Sequence, residues 1–288
     1  MIRSICLLGF GEVGQTLAED LVACHLSAWD VKFADPASIP SKALAWRAVT
    51  AARGAGPAAA EADLVISAVT AAQDLSAARS VTAGLKRGAF FLDMNSASPE
   101  MKKQSAQVIA EAGGRYVEAA VMAPIEPKRI ATPMLLGGPD AEAFLPLGKA
   151  LGFSGLSFFS AELGQASAAK MCRSVMVKGI EALLTESLVA ARHYGVEETV
   201  LASLSDLFPV GDWRKLARYM ISRSLEHGTR RAEEMREVAR TIGDAGLVPL
   251  LSVATAERQD WAALRKAALE SEDLPALLDR LLEMRNDQ

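Results

Sequence analysis

Two stretches of this chain hold residues arranged for chemistry. Gly9-Phe10-Gly11-Glu12-Val13-Gly14 places glycine at the first, third and sixth positions, directly after an apolar run of β type and directly before a helical one. In a strand-turn-helix setting each glycine has a task. The first permits the tight turn, the second lets a pyrophosphate approach the backbone, and the third lets helix pack on strand while the helix N-terminus faces the phosphates. The second stretch is GQASAAKMCRS, Gly164 to Ser174, with a lone lysine at Lys170. Its neighbours one helical turn away are Ala166, Ser167, Arg173 and Ser174, so no acid is in local reach. One reading is a lysine with a buried stem whose ammonium reaches water. The other is a proton-transfer group, because apolar neighbours and a second cation at Arg173 lower a lysine from about 10.4 toward the range where a base works at neutral pH.

An acid completes the nucleotide pattern. Asp35, in VKFADPAS, stands about 20 residues beyond the glycines, where the end of a second strand offers a carboxylate to the adenosine ribose hydroxyls. A turn aspartate before Pro36 is the plainer alternative. A carboxylate there repels a 2′-phosphate, which favours NAD over NADP, while Lys42 and Arg47 keep NADP open.

The elements that must position these residues follow two grammars. Up to about residue 160, short apolar runs alternate with amphipathic stretches of a dozen residues, the pattern of a mostly parallel sheet with helices on both faces. Strands are expected over Ser4 to Phe10, Val31 to Ala34, Asp63 to Val69, Ala89 to Asp93, Arg115 to Val121 and Pro133 to Leu136, and helices over Glu12 to Cys24, Pro99 to Glu111 and Asp140 to Leu151. From Gly164 onward the spacing is helical to the end, with breaks near Gly195, Phe208 to Gly211, Gly228 and Gly246. The fold class is therefore α/β followed by all-α, with domains over 1–162 and 163–288.

At 288 residues each domain can bury its own core. A net charge of −4 gives no reason to expect nucleic acid or an anionic membrane as partner, so function must come from a site for a small molecule. Cys6, Cys24 and Cys172 are odd in number and scattered, which suits a reducing cytoplasm, small core residues and no metal site. No apolar run approaches the ~18 residues of a membrane span. The start MIRSICLLGFGEVG lacks a secretory cleavage region, and a cytoplasmic protein is expected.

Taken together, GFGEVG, FLDMNSASP (Phe90 to Pro99) and GQASAAKMCRS resemble the β-hydroxyacid dehydrogenase family, which includes 3-hydroxyisobutyrate and 6-phosphogluconate dehydrogenases. The resemblance covers essentially the whole chain. It implies a Rossmann domain that takes NAD(P), then a helical substrate and dimerisation domain opening on the helix of the catalytic lysine. On that resemblance Lys170 is the general acid/base, with Ser174 one turn on. Asn95 and Ser96 hold a substrate carboxylate or hydroxyl, Asp93 is structural, and Val69-Thr70 passes along the nicotinamide ribose. An ordinary turn capping the following helix is the alternative for Asn95 and Ser96.

The chain also departs from that family. Ser174 stands where asparagine is usual, and Arg173 beside it is either a bidentate clamp for an anionic substrate group or a surface residue. Met122, Ala123 and Pro124 replace a polar, flexible substrate loop, which makes Met122 a candidate substrate contact. Glu233-Glu234 aligns with a late lysine-acid pair, so a lysine is missing there. His227, Arg230 and Arg231 are placed next to a helix start, either approaching the cleft or solvated. The leading expectation is an NAD(P)-dependent oxidoreductase of β-hydroxy acids or related alcohols, at least a dimer. The alternatives are an imine reductase-like enzyme and a nucleotide-binding sensor without turnover.

Overall fold

The computed structural model describes residues 2–45, 48–207 and 211–284. Two compact units divide the chain, Met1–Met171 and Cys172–Gln288. The first contains β1 (Ser4–Leu8), α1 (Glu12–Asp20), β2 (His25–Trp29), α2 (Ile39–Leu44), β3 (Thr50–Ala51), α3 (Ala55–Ala59) and β4 (Leu64–Ser67). It continues with α4 (Asp74–Val81), β5 (Phe90–Asp93), α5 (Pro99–Glu111), β6 (Arg115–Val121), β7 (Met134–Gly137), α6 (Ala141–Ala150) and β8 (Leu156–Ser160). A long helix, α7 (Gln165–His193), begins in this unit and carries the chain into the second, where α8 (Glu197–Leu207), α9 (Trp213–Asp244), α10 (Leu250–Ala263) and α11 (Leu274–Glu283) follow.

The eight strands lie in the order β3-β2-β1-β4-β5-β6-β7-β8, with β6 and β7 antiparallel and every other neighbouring pair parallel. This is the doubly wound arrangement, whose strand order reverses between β1 and β4. Alternation along β1 shows why both faces are covered. Ile5 and Leu7 join one apolar core, and Cys6 and Leu8 join the other. Small residues of α3 and α4, such as Ala58, Ala59 and Ala78, bring those helices close to the second face. Burial in that second core pushes the Cys6 thiol up to about 12, so it packs as an apolar residue. Cys172, by contrast, is exposed.

Several expectations need correction. The second strand is His25–Trp29, and Val31–Ala34 is a short 3-10 turn with no buried residue. HLSAW has no β-branched residue, whereas VKFA imitates a strand; Asp30 decides the matter by accepting a hydrogen bond from Lys32 N and starting the turn. Strands β3 and β8 add to the expected set. Gly228 does not break a helix. It lies inside the 32-residue α9, where a Cβ would come within 2.5 Å of Gln259 O, so its absence allows α9 and α10 to touch. Gly195 and Gly246 do close α7 and α9, each with positive φ. The break expected at Phe208 to Gly211 lies largely outside the described residues. The second unit has its own core, including Leu188, Ile221, Leu225, Leu277 and Leu281.

Candidate active site

The glycine turn follows β1 as the spacing requires. Gly9 has φ +94°, donates to Trp29 O and runs so close to β4 that a Cβ would fall 2.5 Å from Ala68 O. A Cβ on Gly14 would collide with Gly9 O. Gly11 differs, since open space surrounds the place of its missing side chain, and no side chain caps the start of α1. The first N–H groups of α1 thus face room for an anion, which fits the pyrophosphate of a dinucleotide. Of the intervening residues, Phe10 is fully buried edge-to-face against Phe33, Val13 packs on the core, and Glu12 is exposed.

The acid at the end of the second strand is Asp30. Its carboxylate accepts from Phe10 N at 2.7 Å and from Lys32 N at 2.8 Å, which ties the glycine turn to β2. Asp35 lies beyond the 3-10 turn, exposed, accepting from Ala37 N in a local Asx turn. With the strand at His25–Trp29, Asp30 and not Asp35 stands at its C-terminal end. Lys42 lies in α2, and Arg47 is outside the described residues.

From the glycine turn a line of contacts leads to the lysine. Val69 is packed against Gly9, and its N–H donates to Asn95 Oδ1 at 2.7 Å. Asn95 neighbours Ser96, whose Oγ accepts from Lys170 Nζ at 2.6 Å. Thr70 is exposed at the β4 end of this line. The Asn95 amide is engaged inside the fold. It is buried, and its two amide hydrogens go to Ser67 Oγ and Asp74 Oδ1, at 2.9 and 2.7 Å. Ser96, half-buried, is the polar side chain of the DMNS turn that meets the lysine.

Sequence reasoning missed the residue that aims Lys170. Glu118, fully buried in β6, accepts from Gly164 N at 2.8 Å and from Ser167 N, gripping the first turn of α7. A carboxylate at a helix N-terminus is favoured by the orphan N–H groups and the helix dipole. Gly137 makes room for it, because a Cβ there would lie 2.7 Å from Glu118 Oε2. This grip holds the first turn of α7 to β6, within the compact unit Met1–Met171.

Beneath the DMNS turn lies a buried ionic cluster. Asp93 accepts from Tyr116 Oη at 2.6 Å and from Asn95 N at 2.9 Å, and the Lys102 ammonium is 2.6 Å away as an ion pair. Burial alone would raise Asp93, but Lys102 and these hydrogen bonds hold it below the usual carboxylate range. Burial likewise opposes the charge on Lys102, yet Asp93 keeps it protonated. For Asp74, burial and then the charge of Asp93 raise the carboxyl to about 8. Its position in the first turn of α4 favours the anion by only about 0.3–1 kcal/mol. A second buried anion costs several kcal/mol. Desolvation wins, and the Asp74 carboxyl is pushed up.

The second unit contains the remaining candidates. Arg173 is exposed. Ser174 is buried and accepts from Lys178 Nζ at 3.2 Å, and Lys178 pairs with Glu234 at 2.7 Å. Glu234 therefore has a lysine after all, supplied by α7. Arg230 also pairs with Glu234, at 2.9 Å, while Arg231 pairs with the buried Glu181. His227, Arg230 and Arg231 lie inside α9, far from its start, which corrects their expected placement. Burial and then Arg223 lower His227 to about 4, so it is neutral at pH 7. In the first unit, Met122 is half-buried and its N–H donates to Pro133 O, extending the β6-β7 ladder.

Residues 4–155, more than half of the chain, match the NAD binding domain of 6-phosphogluconate dehydrogenase. The chain belongs to that family. Residues 191–262 match a domain of unknown function, DUF1932. A conserved hypothetical protein from Sinorhizobium meliloti 1021 is 38% identical, with 97% of each chain covered and a TM-score of 0.73. The conserved protein MTH1747, of unknown function and structurally similar to 3-hydroxyacid dehydrogenases, is 30% identical over 91% of this chain and 98% of its own, with a TM-score of 0.68. Mycobacterium tuberculosis 3-hydroxyisobutyrate dehydrogenase, solved with L-serine, shares the fold at 18% identity, covering 99% of this chain and 100% of its own, with a TM-score of 0.70. The family resemblance read from the three motifs thus holds, and the sheet unit is an NAD(P)-binding domain of an oxidoreductase family. Among the described residues there is no group of three or more metal-binding side chains, and no helix is long and apolar enough to cross a membrane.

Proposed function

We propose that this protein transfers a hydride between a nicotinamide cofactor and a small or medium β-hydroxy acid or related alcohol, with Lys170 as general acid/base. The observation that carries the reading is the unbroken line Gly9, Val69, Asn95, Ser96, Lys170, from the phosphate-binding turn to an ammonium hydrogen-bonded at 2.6 Å. When bound, the nicotinamide supplies hydride chemistry at its C4 carbon. The chain's own part is to orient the alcohol and move its proton. Lys170, as the free amine, takes the hydroxyl proton while Ser96 orients the hydroxyl, and in the reverse direction the ammonium returns it. Ser174 and Arg173, on the same helix, are proposed to orient substrate and bind its anionic group. Asp30, at the end of β2, is proposed to accept from the ribose hydroxyls, which favours NAD over NADP.

Replacing Lys170 by Met tests the assignment. Turnover of hydroxy acids with NAD or NADP is expected to fall by about 10²- to 10⁴-fold, the usual worth of a general base, with cofactor affinity unchanged. Substantial residual turnover at neutral pH rules the lysine out.

A homodimer formed through the helical unit is also proposed. Leu247, Val248, Leu250 and Leu251 form an exposed apolar stretch where α9 gives way to α10, the kind of surface that a subunit interface covers. Sedimentation equilibrium showing a monomer at micromolar concentration refutes it.

A further inference from the structure

Behind the Ser96–Lys170 pair the fold buries more acid than base. Asp74, 1% exposed at the start of α4, and Asp93, fully buried at the end of β5, hydrogen-bond to each other. The groups that face them are Lys102 and Ser105 of α5, Tyr116 of β6, Ser67 of β4, Asn95, and, farther off, Glu118 of β6. One ammonium therefore serves two touching carboxylates in a dry interior, and such a pair retains a proton.

The donors decide which acid carries it. Asp93 is ion-paired with Lys102 and accepts from Tyr116 Oη and Asn95 N, three groups that favour its anion. Asp74 receives the neutral amide of Asn95 and a long contact of 3.4 Å from Ser105 Oγ. The proton belongs on Asp74, which then donates to Asp93.

Asn95 bridges the two acids. Its backbone N–H is on Asp93, its side-chain amide is on Asp74, and its carbonyl fixes the Val69 N–H beside the glycine turn. We propose that Asp74, as a neutral acid, is a positioning residue for the nucleotide-binding edge, and that losing its proton in alkaline solution releases the Val69 and Asn95 segments. Two adjacent anions must separate, and Asn95 cannot follow both. The elevated carboxyl of Asp74 puts this transition near pH 8. The proposal rests on the NAD(P) reading only for its binding consequence.

Asp74→Asn separates this role from simple structural support. Asparagine keeps the shape, the acceptor for Asn95 and a donor for Asp93, but does not titrate. The protection of the Val69 amide against hydrogen exchange is expected to fall in the parent protein between about pH 7 and about pH 9 and to stay level in the variant. NADH and NADPH, titrated by fluorescence, are expected to lose about tenfold in affinity over the same range in the parent alone. Other titrating groups affect both proteins equally and cancel. Equal pH dependence of Val69 protection in the two proteins overturns the proposal. If neither nucleotide binds at any pH while Val69 behaves as expected, the cofactor reading fails and the positioning role stands. Should Asp74→Asn not fold, the infrared band of a protonated carboxyl in the parent decides. Its presence at pH 6 and loss by pH 10 support the assignment, and its absence at pH 6 refutes it.

Discussion

Lys170 Nζ and Ser96 Oγ, 74 positions apart in sequence, meet at 2.6 Å. The helix and the strand end that carry them are each fixed by buried carboxylates, Glu118 for α7 and Asp93 for the DMNS turn. On the proposed reaction, Ser96→Ala removes a hydrogen bond to a charged group, an interaction of about 1.5–3 kcal/mol. Turnover is expected to drop by about tenfold or more, with NADH affinity kept, because Ser96 is not part of the glycine turn. Steady-state kinetics beside a fluorescence titration checks both statements.

The glycines of the motif are not equivalent. Gly14→Ala places a methyl group into Gly9 O and is expected to lower thermal stability and soluble yield. Gly11→Ala meets nothing within 4 Å and keeps an ordinary negative φ of −76°, so the variant is expected to melt like the parent. Its methyl group instead occupies the space in front of α1, and NADH and NADPH affinity is expected to fall. Calorimetry and fluorescence titration on the two variants separate folding from binding.

On the proposed reading Asp30 takes the ribose contact that spacing suggests for Asp35. Asp30→Ala removes the acceptor of Phe10 N and is expected to weaken NADH binding and erode the preference over NADPH. Asp35→Ala loses one exposed turn hydrogen bond and is expected to leave both affinities unchanged. Dissociation constants for the two nucleotides on both variants are the measurement, and a large loss in Asp35→Ala alone would return the ribose to that residue.

How far the sequence could be read follows from the range of each interaction. The glycine turn and α5 depend on neighbours a few residues away, and both appear as expected. The second strand lies away from its expected place because VKFA has the apolar, aromatic look of a strand and HLSAW does not, although parallel pairing with β1 selects the latter. Partnerships across dozens of residues leave no local trace. Glu118 reads as one more strand residue until α7 is seen to begin on it, and Glu234 seems to lack a lysine until α7 supplies Lys178. Gly228 resembles a helix break for the same reason, since its task concerns another helix.

Asp63 gives the fold an acid-sensitive clasp. A hydrogen bond from Lys86 and the N–H groups of Arg3 and Ser4 lower its carboxyl to about 2, against an ordinary 3.8. The unfolded chain therefore takes up a proton in this range before the folded one does. The stabilisation is complete above about 3.8 and is lost as pH falls through about 2. Asp63→Asn is expected to lower the melting temperature at pH 5, with the gap to the parent closing toward pH 2. Melting curves across that range provide the check.

In the helical unit, Lys178 and Glu234 are about nine-tenths buried and paired at 2.7 Å, and Ser174 takes a further hydrogen bond from the same ammonium. Removing one partner of a buried pair costs about 3–5 kcal/mol because the other charge is left in the interior. Lys178→Met leaves Glu234 paired with Arg230, at 2.9 Å on a half-exposed side chain, and with the charge of Arg231 nearby, so a loss near the lower end of that range is expected. Glu234→Leu takes the ion-pair partner from the ammonium, leaving it the Ser174 hydroxyl and the charge of Glu181, which already pairs with Arg231. Changing both residues together removes the uncompensated charge and is expected to restore most of the stability. Denaturant unfolding of the two single variants and the double variant gives the coupling directly. Additive losses would mean that the ion pair contributes nothing to holding α7 against α9.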